Sequence, residues 1–534
     1  MAEHRYPATP PTLAAGWTSN TVREPSSLFG ANGMRVGPDG ALYVAQAFGS
    51  QVSALDPETG AATAVVPVGG EVVAPDDLAF DSHGVLYMTE VMSERVSARM
   101  PNGDVRVIAD NVPVANGITI HDDRIFMDEF RLGGRVLELY ADGRAPRVIA
   151  EDLVTPNALA MGPDGALYFP QVMAGEIWRV AIDGGRPERV MAGLAIPTAV
   201  KFSPSGELFT TEAGSGDITR IDLHTIARTV VGTVRPGIDN FAFTPDGRLF
   251  VSHFTDGGVA EIDSAGKERV IVNGGLLGPF GLASAPDHTL YISDGMSLVV
   301  VAPDGHVASR PALMINADFP GFVRSVCALD DGCYLTTTAG TIARYRPGQG
   351  IEVVTEGLGN LSGIACTRDG QLLACETDTG RVLQISTTGQ TTTLARGLQA
   401  PTGIAARADG SCVVSASGAG QLVHIKDGVV SVMMSGLQDP HGVAVLGDDT
   451  FVLDRGARTL TRFNHTSVQS DIIASGLALG ANAGITPKVL PGIDDLLPGP
   501  LLPFADLSAT SDGRLLVGCD GAGSVIAIAP AVTG

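Results

Sequence analysis

One short phrase recurs along this chain about twelve times, and it constrains the fold more than any other feature. Each copy opens on a polar residue, runs through an apolar strand, turns at Asp-Gly, and returns through a second apolar strand. "TPNALAMGPDGALYFPQ", Thr155–Gln171, is a clear example, with Asn157 at its opening and Gln171 at its close. In the first half the openings read GANGMRV, APDDLAF, VANGITI, TPNALAM, IPTAVKF and GIDNFAF. In the second they read GPFGLAS, FVRSVCA, LSGIACT, APTGIAA, DPHGVAV and PFADLSA. The period is roughly 40 residues, the length of one four-stranded repeat in a radial or solenoid array.

Two more strands follow the pair in each copy, for example RVLELY and RVIAEDL, joined by a Gly-rich turn. Apolar residues alternate in these later strands but run almost continuously in the first two, as strands buried on both faces do. The unit is therefore a four-stranded blade, and the fold class is all-β: a β-propeller. Twelve blades exceed the usual count of about four to eight per ring, so two six-bladed propellers are expected. The last copy ends after its third strand, SVIAIAP, while SNTVREP near the N-terminus has a fourth-strand pattern and no partners before it. That N-terminal strand is expected to close the C-terminal propeller, with closure of the first ring as the open alternative. The resulting division is an N-terminal segment 1–27, a first propeller 28–277 and a second propeller 278–534. A Pro/Gly-rich stretch at 476–503 has no strand periodicity and reads as a lid-like insertion of the second ring.

In a propeller the first strand of a blade is innermost and the second returns beside it. The residue opening the first and the residue ending the second thus meet at one face near the axis. In the first half the openings are Asn32, Asp76, Asn116, Asn157, Thr198 and Asp239, and the endings are Gln46, Glu90, Glu129, Gln171, Glu212 and His253. All twelve are polar and none is Lys or Arg. The second half reads Phe280, Arg324, Ser362, Thr402, His441 and Ala505, with endings Asp294, Thr338, Glu376, Ala416, Arg455 and Cys519, and the uniformity is gone. Asn or Asp at one strand opening is ordinary turn chemistry. A ring of carboxylates is different, because like charges raise each other's pKa unless a cation or protons neutralise them. Oxygen donors suit a hard divalent cation, Ca²⁺ ahead of Mg²⁺, rather than zinc. Asp76, Asp239, Glu90, Glu129 and Glu212 can all serve as ligands, with Asp76 and Asp239 the ones expected at the metal. Glu90, Glu129, Glu212 and His253 are the acid–base candidates, and Asn32, Asn116, Gln46, Gln171 and Thr198 would face the substrate.

Composition narrows the partner class. Against 58 acidic residues the 534-residue chain has 35 Lys and Arg, a net charge of −23 that argues against nucleic acid or an anionic membrane. A small molecule is the expected partner. No apolar run reaches the ~18 residues of a membrane span, and the N-terminus lacks an apolar signal core. The six cysteines (Cys327, Cys333, Cys366, Cys375, Cys412, Cys519) sit singly in strand-like segments, as buried reduced thiols do, so a cytoplasmic location is expected.

The openings ANGITI and TPNALAMGPDGALYF resemble those of the SMP-30/gluconolactonase family, six-bladed calcium-dependent propellers related in architecture to strictosidine-synthase-like proteins. The resemblance implies that Asn or Asp side chains opening inner strands bind one cation, which polarises a lactone carbonyl while a carboxylate activates water. Asn116, Asn157 and Asp239 match the opening type, which completes an expected metal set of Asp76, Asn157 and Asp239. The family's early Glu in an EGP context has no counterpart; the first blade offers GANG with Asn32. LYMTEVMSERVSA, LFTTEAGSGDITRI, LLACETDTGRVLQI and PHGVAV also resemble streptogramin (virginiamycin B) lyase, which implies a metal-assisted elimination with a histidine base, His253 or His441. The leading expectation is a metal-dependent hydrolase of a lactone or cyclic ester. A C–O lyase and a non-enzymatic binding scaffold are the alternatives.

Overall fold

The computed structural model describes residues 9–481, 493, 496, 497, 499 and 501–531. Among them there is no α-helix, only three single-turn 3₁₀ segments, and no helix long and apolar enough to cross a membrane. The described strands form twelve antiparallel sheets, eleven of four strands and one of five. The chain divides into two compact units: Ser26–Leu277 belongs to unit 1, as does the short segment Ile485–Leu496, and Gly278–Gly484 and Leu497–Gly534 form unit 2 together with the strands that precede Ser26.

In unit 1 the first strands of the six sheets are Met34–Val36, Pro75–Phe80, Ala115–His121, Ala160–Met161, Pro197–Phe202 and Ile238–Phe243. Each lies against the first strand of the next sheet, and the sixth lies against the first. Unit 2 repeats this order with Pro279–Ser284, Val323–Leu329, Leu361–Cys366, Pro401–Ala406, Pro440–Leu446 and Leu507–Ala509. Sheets in this order are consistent with propeller blades. The strand expected at SNTVREP forms as Trp17–Arg23 and pairs antiparallel with Ser524–Pro530, the third strand of the last sheet in unit 2. Thr12–Leu13 adds a fifth strand to the neighbouring sheet beside Gln469–Ser475.

A repeated hydroxyl explains how neighbouring first strands are held. Their openings are bulged, so the register slips between Pro75 and Leu78 and between Pro401 and Ile404, leaving a backbone N–H without a ladder partner. The next-to-last residue of the second strand supplies that partner and also reaches the following sheet. Ser415 Oγ accepts from Gly403 N at 2.7 Å and donates to His441 O at 2.5 Å. Ser252 Oγ accepts from Asn240 N at 3.2 Å and donates to Asn32 O at 2.6 Å, which ties the sixth sheet of unit 1 to its first. The glycine after several openings serves the same close approach. A Cβ on Gly403 would stand 2.1 Å from His441 O, and one on Gly33 would stand 2.5 Å from Asp76 O. Between sheets the packing is apolar: Phe250, Ala242 and Val259 of the sixth sheet meet Leu28, Met34, Leu42 and Leu55 of the first. Each of the larger side chains contributes ~1.5–3 kcal/mol on burial.

The insertion expected over 476–503 lies mostly outside the described residues. At its described end, Leu502 and Pro503 give their carbonyls to the Arg324 guanidinium, Pro503 O at 2.7 Å from Nη2. That guanidinium also stands 5.3 Å from the Phe280 ring and 5.2 Å from the Phe504 ring.

Candidate functional site

The strand-ending residues form a set of loop clamps. Gln46 Oε1 accepts from Phe29 N at 2.8 Å, Glu90 Oε2 from Val73 N at 2.6 Å, Gln171 Oε1 from Val154 N at 2.6 Å, and Glu212 Oε2 from Ala195 N at 2.7 Å. In every case the donor lies 17 residues upstream, in the segment leading into the same sheet's first strand. Further atoms of Glu90, Glu212 and Gln46 are also engaged. Glu90 meets Arg95 Nε at 2.8 Å, Glu212 takes Thr219 Oγ1 at 2.6 Å, and Gln46 Nε2 donates to Ser53 Oγ at 2.8 Å. Glu129 takes no such backbone bond and is instead held by Arg131 and Arg135, each 2.9 Å from its Oε2. Glu90 and Glu129 are wholly buried and Glu212 nearly so.

Unit 2 has the same device. Asp294, Glu376 and Asp454 accept from Gly278 N, Gly359 N and Gln438 N at 2.7, 2.7 and 2.8 Å. The last of these corrects the sequence alignment, because the strand ends at Asp454 and not at Arg455. Part of the contrast between the halves at this position was therefore one of register. Clamping loops explains why most of these positions are polar in both units.

His253 ends the second strand of the sixth sheet of unit 1 and is fully buried. Neither ring nitrogen makes a well-formed hydrogen bond among the described residues, and burial pushes its pKa down to about 4, with Arg235 adding to the effect. It is a neutral imidazole at physiological pH. Thr198 is tied to Thr211 Oγ1 at 3.2 Å and Ile238 O at 3.3 Å, and Asn157 turns its Oδ1 onto its own neighbour, Ala158 N, at 2.7 Å.

Among the opening residues, four come together in unit 1. Asn32 Nδ2 reaches Asp76 Oδ1 at 3.4 Å, Asn116 hydrogen-bonds Asp76, and Asp76 and Asp239 feel each other's charge. Asp76 and Asp239 keep partial solvent contact, whereas Asn32 and Asn116 are buried. Removal from bulk water and the neighbouring Asp77 push the Asp76 carboxyl up to about 7. The same removal, with Asp76 and Asp77, raises Asp239 far above the carboxylate range while Lys201 opposes the rise. Burial and like charge thus hold protons on this pair above the ordinary carboxylate range.

Five charged or polar neighbours escaped the sequence reading. Asp77 accepts from Ile118 N at 3.1 Å and from Asn240 Nδ2 at 3.3 Å. Asp128 accepts from Gly117 N at 3.0 Å, and its Oδ2 has no partner among the described residues; burial drives its pKa well up. Arg35 bonds Leu78 O at 2.8 Å and Ile118 O at 2.6 Å, with Asp77 at 4.0 Å. Lys201 Nζ donates to Met34 O at 2.7 Å. A signal for the two cations existed: Arg35 and Lys201 occupy one register, the third residue after the opening, where the other four sheets have Ala79, Thr119, Ala160 and Ala242.

The expected metal set does not fit. Asn157 spends its oxygen on its own backbone, and no three or more His, Cys, Asp or Glu among the described residues are grouped to hold a metal ion. In unit 2, His441 donates from Nε2 toward Asp439 Oδ1 at 3.2 Å and accepts Ala505 N at Nδ1, 3.3 Å, so both ring nitrogens are engaged.

No protein-family model matches the chain, and no curated protein matches it. Among solved structures it is similar to a catalytically inactive virginiamycin B lyase from Staphylococcus aureus crystallised with quinupristin: 14% identity, 60% of this chain and 96% of that one, TM-score 0.38. A gluconolactonase of Xanthomonas campestris is 20% identical over 54% of this chain and 96% of that one, TM-score 0.34. A GH74 enzyme of Niastella koreensis is 11% identical over 97% and 100%, TM-score 0.44. At these identities and scores the likenesses assign no activity, and the chemistry rests on the side chains.

Proposed function

We propose that each unit is a six-bladed propeller and that unit 1 is a hydrolase opening a lactone or cyclic ester at its channel mouth. The observation that carries this reading is the solvent-reachable pair Asp76 and Asp239, backed by Asn32 and Asn116. In a pair that shares protons, the neutral carboxyl donates to the ester carbonyl while the ionised one takes a proton from water. Attack by that water forms the tetrahedral adduct, and the proton returned to the ring oxygen completes opening to a hydroxy acid. The Asn32 and Asn116 amides keep the Asp76 carboxyl oriented. Because the residues named for a metal do not fit one, no step passes through it.

The test is a panel of lactones followed by acid release, with wild type, Asp76→Asn and Asp239→Asn. Each variant is expected to lose roughly 10²–10⁴-fold in kcat, the usual worth of a positioned acid or base. Hydrolysis in ¹⁸O-water places one label in the product carboxylate. An unsaturated, unlabelled product would instead make the enzyme a C–O lyase. Full activity in both variants would end the proposal for this site.

A further inference from the structure

Unit 2 holds a buried charge that no acid of the described residues bonds. Arg324 stands at the opening of Val323–Leu329, the first strand of the second sheet, and is only 3% exposed. Burial draws its pKa down to about 9, so the guanidinium keeps its charge at neutral pH. Its Nη groups donate to two neutral carbonyls, Leu502 O and Pro503 O, and its Nε–H has no partner among the described residues. The nearby acids are bonded elsewhere. Asp506 takes Ser325 Oγ at 2.8 Å and Leu507 N at 2.9 Å, while Asp520 takes Arg455 Nε at 3.1 Å and Gly480 N at 2.8 Å. Both attract Arg324 only at longer range. Other strand-ending carboxylates of unit 2 meet an arginine, as Asp294 meets Arg310 at 3.1 Å and Glu376 meets Arg381. The sheet of Arg324 instead ends that strand on Thr337, and the next residue, Thr338, has a buried hydroxyl that is also without a partner among the described residues.

Buried charges in folded proteins are ordinarily paired, because taking one out of water without a counter-charge is costly. A guanidinium has more N–H donors than two carbonyls use, and the Nε–H with the Nη–H beside it forms an edge that matches both oxygens of a carboxylate. We propose that unit 2 binds a small organic carboxylate at Arg324, with the carboxylate on the Nε edge and the Thr338 hydroxyl as a further donor. Thr338 lies at the same end of the sheet, since Thr337 pairs with Val323, the residue before Arg324. The walls suit the apolar part of such a ligand. The Phe280 and Phe504 ring centres are 5.3 and 5.2 Å from the guanidinium carbon, and Phe280 is partly exposed. An organic acid can lay carbon against those rings, whereas phosphate or sulfate would lose its hydration there and gain no apolar contact.

The experiment is equilibrium dialysis of radiolabelled benzoate against wild type, Arg324→Lys and Thr338→Val at neutral pH, in a buffer free of carboxylate and phosphate. Unlabelled benzamide and inorganic phosphate serve as competitors. Wild type is expected to bind benzoate, and benzamide, which has the same shape without the charge, should not displace it. Arg324→Lys keeps a charge but loses the forked edge, and Thr338→Val loses only the hydroxyl. Each is expected to weaken binding by roughly tenfold or more, the worth of a hydrogen bond to a charged group. Thr338→Val is close to isosteric, so it carries the test even where Arg324→Lys fails to fold. Wild type that binds no benzoate, displacement by benzamide as good as by benzoate, or unchanged affinity in either folded variant would overturn the proposal. Displacement by phosphate at lower concentration than by unlabelled benzoate would also overturn it, by making the site one for an inorganic oxyanion. The site lies in unit 2 and its readout involves no turnover, so it stands or falls apart from the hydrolase reading of unit 1.

Discussion

Replacing Glu212 separates a clamp from a catalyst. Its carboxylate takes Ala195 N at 2.7 Å and Thr219 Oγ1 at 2.6 Å from a nearly buried position. Glu212→Ala removes both acceptors and leaves a buried amide and hydroxyl unsatisfied. Hydrogen bonds to a charged group contribute about 1.5–3 kcal/mol each, and part of the loss relaxes, so a destabilisation of about 3 kcal/mol is expected. Glu212→Gln is different, because the fold already contains the answer. Gln46 holds the equivalent site of the first sheet with Oε1 on Phe29 N and Nε2 on Ser53 Oγ, both at 2.8 Å. A glutamine at 212 can repeat that arrangement with Ala195 N and Thr219 Oγ1, at a cost below about 1 kcal/mol. Equilibrium denaturation in urea measures both values, and turnover is measured beside them. If Glu212→Gln keeps its stability but loses activity a hundredfold or more, the carboxylate is catalytic and the clamp argument fails. An Ala variant as stable as wild type would refute it from the other side.

Two other outcomes follow from the same structure. Asp506 is buried against Ser325 Oγ at 2.8 Å, and burial pushes its pKa up to about 7, whereas an unfolded Asp titrates near 4. Folding therefore takes up a proton between about pH 4 and 7, so wild-type stability falls as pH rises through that window, by up to about 4 kcal/mol from this group. Asp506→Asn should remove that part of the slope, and identical pH–stability curves for the two proteins would contradict it. A chain beginning at Ser26 lacks the strand Trp17–Arg23 and leaves the Ser524–Pro530 edge unpaired. It should show an earlier unfolding transition and concentration-dependent aggregation by light scattering, and unchanged melting would exclude a closing role for that strand.

The expected acid–base glutamates and the opening carboxylates came from reading polarity along strands, and Asn157 joined the expected metal set through the family resemblance. That reading located the strand openings well: Asn32, Asp76, Asn116 and Asp239 do meet. At the strand endings, a Glu that clamps a loop 17 residues away has the same one-dimensional signature as a Glu that faces a channel. The residue after the opening was passed over as part of the sheet, although Asp77 and Asn240 bond across the cluster at 3.3 Å.

What the sequence determined by itself is whatever repeats within a few dozen residues: the strand pairs, the Asp-Gly turns, the polar openings and the orphan N-terminal strand. These depend on local periodicity and turn chemistry, which the chain carries wherever it is placed. Tertiary structure alone decided which charges face each other. Lys201 reaches Met34 across 167 residues, and Asn240 reaches Asp77 across 163. Such pairings exist only once the first strands of the six sheets lie side by side with the sixth against the first, and no single strand records which distant residues it will then meet.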